Sequence, residues 1–361
     1  MTDVGRHDEG PVGARDRARG ALLGLACGDA VGFPALVHRT VRLGILRDSL
    51  WWAAARTDEH RMLRFPLPFT VTESAALEFS GTDDAEWAGL FGEILHEIGG
   101  DASAKDLEAA WLRHVVAHAD EMWAGVSEWA AVRNLERGVH VPACGDHNPH
   151  RLDDSAVARA VPAGIIHGGD ARRAAKLATD LASLTNAEDG VWAAAAMAAA
   201  VATAVGEASV EAIVEAARLE VPEGSWLDRN IECSLALLAE AGSALAAVPS
   251  WCDRVANHVY SYGTVAAETF PLALCIYQDT DGKAELAIPI AALVAKQSDS
   301  MPAMVGALCG ATCGVSSLPT TWTTPVEHLR GVTLPQTRQV SLLELADSLW
   351  RRSPTAAGCI G

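Results

Sequence analysis

The chain has 361 residues, half of them apolar, so it can bury a large core and does not have the composition of a disordered protein. Lys and Arg number 28 against 46 Asp and Glu, a formal charge of −18, which argues against a surface that holds nucleic acid by its phosphates. The eight cysteines contain no C-x-x-C pair, and they read as reduced core residues of a cytoplasmic protein, not as zinc ligands or a disulfide framework.

In chain order, the opening "MTDVGRHDEGPVGARDRARG" mixes charges of both signs and has no apolar run, so no secretory signal is expected. Helical periodicity then recurs over residues 15–27, 84–98, 104–118, 121–137, 155–166, 170–183, 188–205, 208–218, 228–242, 264–277, 283–296, 300–314 and 340–351. Strand-like alternation is nearly absent. The junctions "IGGDAS", "HGGDAR", "VPEGSW" and "QDTDGK" are too short to be interdomain linkers. The expectation is an all-α protein with one compact multi-helix domain over residues 14–352, flexible ends at 1–13 and 353–361, and an exposed loop at "SLPTTWTTP", 317–325. The run "VWAAAAMAAAVATAV" at 191–205 is too short and too alanine-rich to span a membrane, and it predicts a close-packed buried helix.

Two long irregular stretches, about 33–82 and 138–154, have the size of binding loops. The second carries His140, His147 and His150, whose spacings of seven and three match no helical ligand pair, so a zinc site is not expected there. "GDAVG" at 28–32 follows an apolar helix and reads as a C-cap and turn. "SGTDDAEW" at 80–87 has two readings. Asp83 and Glu86 have capping-box spacing, and the adjacent aspartates also suit a hard metal ion. In "AKQSDSMPAMVGALCGATCG", Ser298, Asp299 and Ser300 open a helix whose small residues Ala303, Gly306, Ala307, Gly310, Ala311 and Gly314 predict a deeply buried position. The bland alternative there is a simple N-cap.

Taken in order, "RARGALLGLACGDAVGFP", "SGTDDAEW", "SLTNAEDGVWAAAAMAAA", "YSYGTVAAETFPLALCIYQ" and "KQSDSMPAMVGALCGATCG" resemble the ADP-ribosylglycohydrolase family, which includes the dinitrogenase-reductase-activating glycohydrolases. The resemblance runs over roughly 15–316. It implies an all-α fold with a central cleft in which ADP-ribose lies over two neighbouring Mg2+ or Mn2+ ions. Carried onto this chain, it implies Thr82, Asp83, Asp84, Asp299 and Ser300 as metal ligands, with Asp83, Asp84 and Asp299 also as the catalytic carboxylates. Asp154, Ser155 and Asn186 are expected to line the ribose or phosphate pocket, and Trp51 or Trp52 to stack on an aromatic base.

The departures from the family pattern are specific. Gln297 stands where the late run begins with Asp, and Leu36 stands where an acidic residue usually follows the Gly-Asp-Ala segment. Ala295 and Lys296 replace glycines, Thr185-Asn186 replaces Thr-His, and Asp154-Ser155 replaces Asn-Gly upstream of the retained Arg159 and Pro162. Losing two carboxylates predicts one firm metal site and one weak or absent one. The resulting expectation is a metal-dependent hydrolase of an N-glycosidic bond in an ADP-ribosyl or smaller ribosyl substrate, with no nucleic-acid or membrane partner. The alternative is a catalytically degenerate nucleotide-binding or scaffold protein on the same fold. The sequence does not set an oligomeric state.

Overall fold

The computed structural model of the chain describes residues 12–42, 79–256, 264–294 and 300–357. It is all-α, and among the described residues the only β pairings are two isolated bridges, Asp153 with Val265 and His328 with Ser341. Six of the described helices start on a serine or aspartate whose side chain caps them. α1, Ala14–Arg42, is the longest, and α2 spans Asp83–Ile98. α3, Ala104–His114, opens on a reciprocal capping box between Ser103 and Asp106, which satisfies two otherwise orphaned N–H groups. A short 3-10 turn, Val116–Glu121, leads to α4, Val126–Glu136, and the histidine-bearing loop folds a single turn, α5, Ala143–Asp146.

The segment expected as one helix over 155–166 is two, α6, Ser155–Arg159, and α7, Val161–Ile166. Pro162 has no N–H to give to the preceding turn, so the helix breaks at Ala160 and restarts with the proline in its first turn, where none is needed. α8, Ala171–Ala182, is capped by Asp170, and α9, Asp189–Val205, is the alanine-rich helix. α9 is buried over nearly its whole length and packs against α6, α7, α8 and α10, Val210–Arg218. Small side chains let that many neighbours come close, as expected for a core helix. No helix of the described residues is long and apolar enough to cross a membrane.

α11, Trp226–Ala241, ends on Gly242 in the left-handed conformation. α12, Ala244–Arg254, is capped by Ser243 and was not expected, because Pro249 interrupts the helical pattern. α13, Ala266–Asp279, and α14, Ala284–Leu293, also carry internal prolines. α15, Ser300–Cys313, is almost wholly buried. The Thr/Pro-rich segment expected as a loop folds a short helix, α16, Thr320–Val326, followed by α17, Leu342–Trp350, and a final turn, α18, Pro354–Ala357.

The seam between α1 and α15 organises the core. The helices run antiparallel with backbone against backbone. A Cβ on Gly20 would lie 2.7 Å from the Gly310 carbonyl carbon, one on Gly24 2.9 Å from that of Gly306, and one on Gly28 2.5 Å from that of Pro302. All are closer than a real Cβ approaches anything, so every fourth residue of this face must be glycine. This corrects the reading of "GDAVG" as a C-cap and turn: α1 continues through it to Arg42, and Gly28 serves close packing inside the helix. Outside the seam, Arg15 and Arg19 both clamp the carboxylate of Asp347 on α17, with Nε to Oδ1 distances of 2.9 and 2.8 Å.

Candidate functional site

The antiparallel register has a chemical consequence. Since Gly28 meets Pro302, the next residue of α1, Asp29, sits at the end of the seam where α15 begins with Ser300. α15 packs against α2 as well as α1, so the start of α2 belongs to the same corner of the protein.

Asp29 is fully buried, and its carboxylate serves the start of α2. Oδ1 accepts the hydroxyl of Thr82 at 2.5 Å, and Oδ2 accepts the backbone N–H of Thr82 at 2.5 Å and of Ala85 at 3.2 Å. Thr82 makes no side-chain cap of its own. The capping-box reading of "SGTDDAEW" is therefore corrected: Asp83 is the first residue of the helix, and the cap comes from 53 residues upstream. Glu86 faces the other way. At 1% exposure, it accepts the N–H groups of Arg330 and Gly331 at 2.8 Å each and the hydroxyl of Thr337 at 2.5 Å, which ties the loop before α17 to α2. Arg330 also donates from Nη1 to Ser80 Oγ at 2.9 Å, beside the Thr82 corner.

The cap of α2 is thus supplied from outside the helix. Asp83 is half-buried, Asp84 and Ser300 are buried, and the Thr82 hydroxyl lies 3.2 Å from Asp83 Oδ1. Carboxylates and hydroxyls, with no imidazole or thiol among them, are the donors a hard divalent cation takes. Among the described residues no three His, Cys, Asp or Glu side chains gather in a metal-holding group, so a complete shell here needs the two hydroxyls and a further donor. Asp299, Gln297, Lys296, Ala295, Trp51 and Trp52 lie outside the described residues, and Leu36 falls within α1.

A second polar cluster is built on Arg159, which is 1% exposed. Its Nη1 donates to Glu128 Oε1 at 2.7 Å, and its Nη2 to Thr185 Oγ1 at 2.6 Å, Ser155 Oγ at 3.0 Å and Asn186 Oδ1 at 3.4 Å. The guanidinium also lies over the rings of Trp87, Phe91 and Trp111, each within 6 Å, with Trp87 and Trp111 stacked on each other. Arg159 thus joins α6 to α2 and α3.

Of the expected pocket residues, Asp154 and Ser155 stand at the start of α6, with the Asp154 N–H donated to Thr264 O at 3.1 Å. The Ser155 hydroxyl donates to Asp153 Oδ1 at 2.7 Å. Asn186 is 1% exposed, and its amide is consumed inside the protein: Oδ1 takes the Thr185 hydroxyl at 2.6 Å, and Nδ2 reaches Asp153 Oδ1 at 2.9 Å and two backbone carbonyls. Burial, with the nearby charge of Glu128, pushes the Asp153 carboxyl above its ordinary range, against the pull of hydrogen bonds from Ser127, Ser155 and Asn186. α6, which carries Arg159, packs against α2, α9, α13 and α15.

Buried acids not singled out from the sequence include Asp29, Glu128, Asp153 and Glu268, the last in the first turn of α13. Two of them sit inside quoted motifs, "GDAVG" and "AAETF", where nothing local marks them as interior. The histidine loop, in contrast, is conventional. His140 Nδ1 pairs with Glu108 Oε1 at 2.6 Å on the surface. Cys27, Cys144, Cys233, Cys275, Cys309 and Cys313 are free thiols, and burial pushes those of Cys27 and Cys275 up to about 12.

A family model described as ADP-ribosylglycohydrolase matches residues 11–358. The chain belongs to the ADP-ribosylglycohydrolase family. The family is of hydrolase type, and the all-α fold is the one it brings. A solved structure described as an ADP-ribosylglycohydrolase-related protein complex is similar at 21% identity with a TM-score of 0.57, covering 94% of this chain and 98% of that one. At that identity the likeness bears on the fold alone. No curated protein matches the sequence.

Proposed function

We propose that this ADP-ribosylglycohydrolase family member is a divalent-metal-dependent hydrolase that cleaves the bond between a ribose anomeric carbon and its nitrogen, occasionally oxygen, substituent. Its substrate is an ADP-ribosyl adduct or a smaller ribosyl compound. The observation that carries the reading is the Thr82-Asp83-Asp84 run at the mouth of α2, whose cap comes from a buried carboxylate of another helix.

Thr82, Asp83, Asp84, Asp299 and Ser300 would hold Mg2+ or Mn2+. When bound, the metal supplies positive charge that offsets the acidic cleft and polarises the ribose hydroxyls. One of the three aspartates takes a proton from the attacking water as its oxygen closes on the anomeric carbon, and the departing nitrogen leaves with a proton in turn. Asp154 and Ser155 bound the ribose or phosphate pocket, with Asn186 holding Asp153 behind them, and Trp51 or Trp52 stacks on an aromatic base. Because Gln297 and Leu36 replace carboxylates, one ion is held firmly and the second weakly or not at all. Free thiols suit a reducing, cytoplasmic compartment.

Calorimetric titration of Mg2+ and Mn2+ into the wild type and Asp83→Ala tests the reading first. The expected outcome is one clear site in the wild type and none in the variant; no binding at millimolar ion removes the mechanism. Incubation with ADP-ribosyl peptides, ADP-ribose conjugates and simple N-ribosides then tests hydrolysis. Metal binding without release of ribose or ADP-ribose from any of them would instead support a catalytically degenerate binding protein.

A further inference from the structure

We propose that Asp29 is a positioning residue for this site, acting through the hydroxyl of Thr82; the inference rests on the metal reading above. A threonine hydroxyl has one proton to give and two lone pairs to offer. Two carboxylate oxygens compete for that proton: Asp29 Oδ1 at 2.5 Å and Asp83 Oδ1 at 3.2 Å. The shorter bond takes it. With its proton turned into the protein towards Asp29, the Thr82 oxygen presents its lone pairs on the other side, and Asp83 Oδ1 remains an acceptor for other partners. Were the proton on Asp83 instead, both atoms would be poorer donors to a cation.

The backbone reinforces this arrangement. Asp29 Oδ2 holds the Thr82 N–H and the Ala85 N–H together, which fixes the φ and ψ of Thr82 in a conformation that the helix does not impose, −109° and −144°. The backbone that carries Asp29 is held in place. The neighbouring Gly28 lies against the Pro302 carbonyl, so the α1 backbone at this point is locked to α15. The chain of constraint therefore runs from the glycine seam to Asp29, from Asp29 to Thr82, and from Thr82 to the face shared by Asp83 and Asp84. A carboxylate behind a hydroxyl also makes that oxygen a stronger electron donor, as outer-shell partners of metal ligands do. An ordinary N-cap needs only a neutral acceptor; a fully buried carboxylate beside two further aspartates is an expensive way to provide one, and a cation in front of them offsets that repulsion.

The test is a double-mutant cycle on the full chain, with Asp29→Asn, Thr82→Val and the pair, read by Mn2+ titration and by urea denaturation of the metal-free protein. The expected result is a loss of Mn2+ affinity of about 10- to 100-fold in each single variant, the range for outer-shell partners of a metal. The double variant is expected to be little worse than the poorer single one, since both remove the same oriented oxygen. Thr82→Ser, which keeps the hydroxyl, restores most of the affinity. If the wild type binds Mn2+ and Asp29→Asn binds it equally well while only its urea midpoint falls, Asp29 is a helix cap and the inference is overturned with the metal reading intact. Additive losses overturn it as well. A wild type that binds no Mn2+ overturns both. Should Asp29→Asn fail to fold, Asp29→Glu, which keeps the charge but moves the oxygens by one methylene, enters the same cycle with the same criterion.

Discussion

Replacing Gly24 by alanine tests the close approach on which the site's register depends. The added Cβ would fall 2.9 Å from the Gly306 carbonyl carbon and nearer still to its oxygen, and the obstacle is backbone on both sides, with no flexible side chain to swing aside. Relief requires α1 and α15 to part by about 1 Å. Overpacking of a well-packed interior costs about 1–3 kcal/mol, and a rigid neighbour places this site at the upper end, about 3 kcal/mol. Alanine gains about 1 kcal/mol over glycine in helix propensity, so the net loss is about 2 kcal/mol. Urea denaturation followed by circular dichroism measures it, with Gly13→Ala as the control, because a Cβ on Gly13 meets nothing within 4 Å and is expected to change stability by less than about 0.5 kcal/mol. Since α1 carries Asp29, Gly24→Ala is also expected to weaken Mn2+ binding. If Gly24→Ala is as stable as the wild type or more so, propensity has won, and the backbone contact that places Asp29 opposite the start of α15 is wrong.

Glu86→Ala leaves three buried donors, the N–H groups of Arg330 and Gly331 and the Thr337 hydroxyl, without their acceptor, and is expected to cost about 3 kcal/mol by urea denaturation; Glu86→Gln, which keeps one acceptor oxygen, is expected to cost less. Arg159→Leu strands the buried Glu128 carboxylate and is expected to cost about 3–5 kcal/mol, whereas the double variant with Glu128→Leu is expected to recover part of that loss in the same assay. A double variant no more stable than the single one would refute the buried-pair argument. Burial pushes the Asp347 carboxyl up, but the guanidiniums of Arg15 and Arg19 outweigh it and hold the group well below its ordinary value of 3.8. The folded state thus keeps the charge where the unfolded chain has taken up a proton. The clamp's stabilisation is present above about pH 4 and is lost as the pH falls below that towards the depressed folded value. Urea midpoints between pH 5 and pH 3 are expected to fall less steeply for Asp347→Asn than for the wild type.

Helix placement and burial were largely legible in the sequence because both depend on patterns that are local. α2, α8, α9 and α15 lie within a few residues of where their periodicity puts them, and the alanine-rich α9 is as buried as its composition implies. Where the pattern failed, a proline was usually at the break. Pro162 divides α6 from α7, and Pro249 hides α12 although Ser243 caps it. The other failure was at "GDAVG", where a glycine that ends a helix and one that admits a neighbouring backbone look alike until the neighbour is known.

The sequence by itself determined that the chain is helical, that an acidic run stands at the mouth of α2, and that the chain's motifs follow the order of a known hydrolase family. Only the tertiary structure decided what those acids do. Asp83 and Glu86 have capping spacing, yet the cap comes from Asp29 and Glu86 holds a loop near the far end of the chain, because a buried donor takes whichever acceptor folding brings to it, at any sequence distance. Asn186 likewise spends its amide on Asp153 and Thr185. Local spacing sets where a helix can begin, and the packing of α1 on α15 sets which carboxylate meets it there.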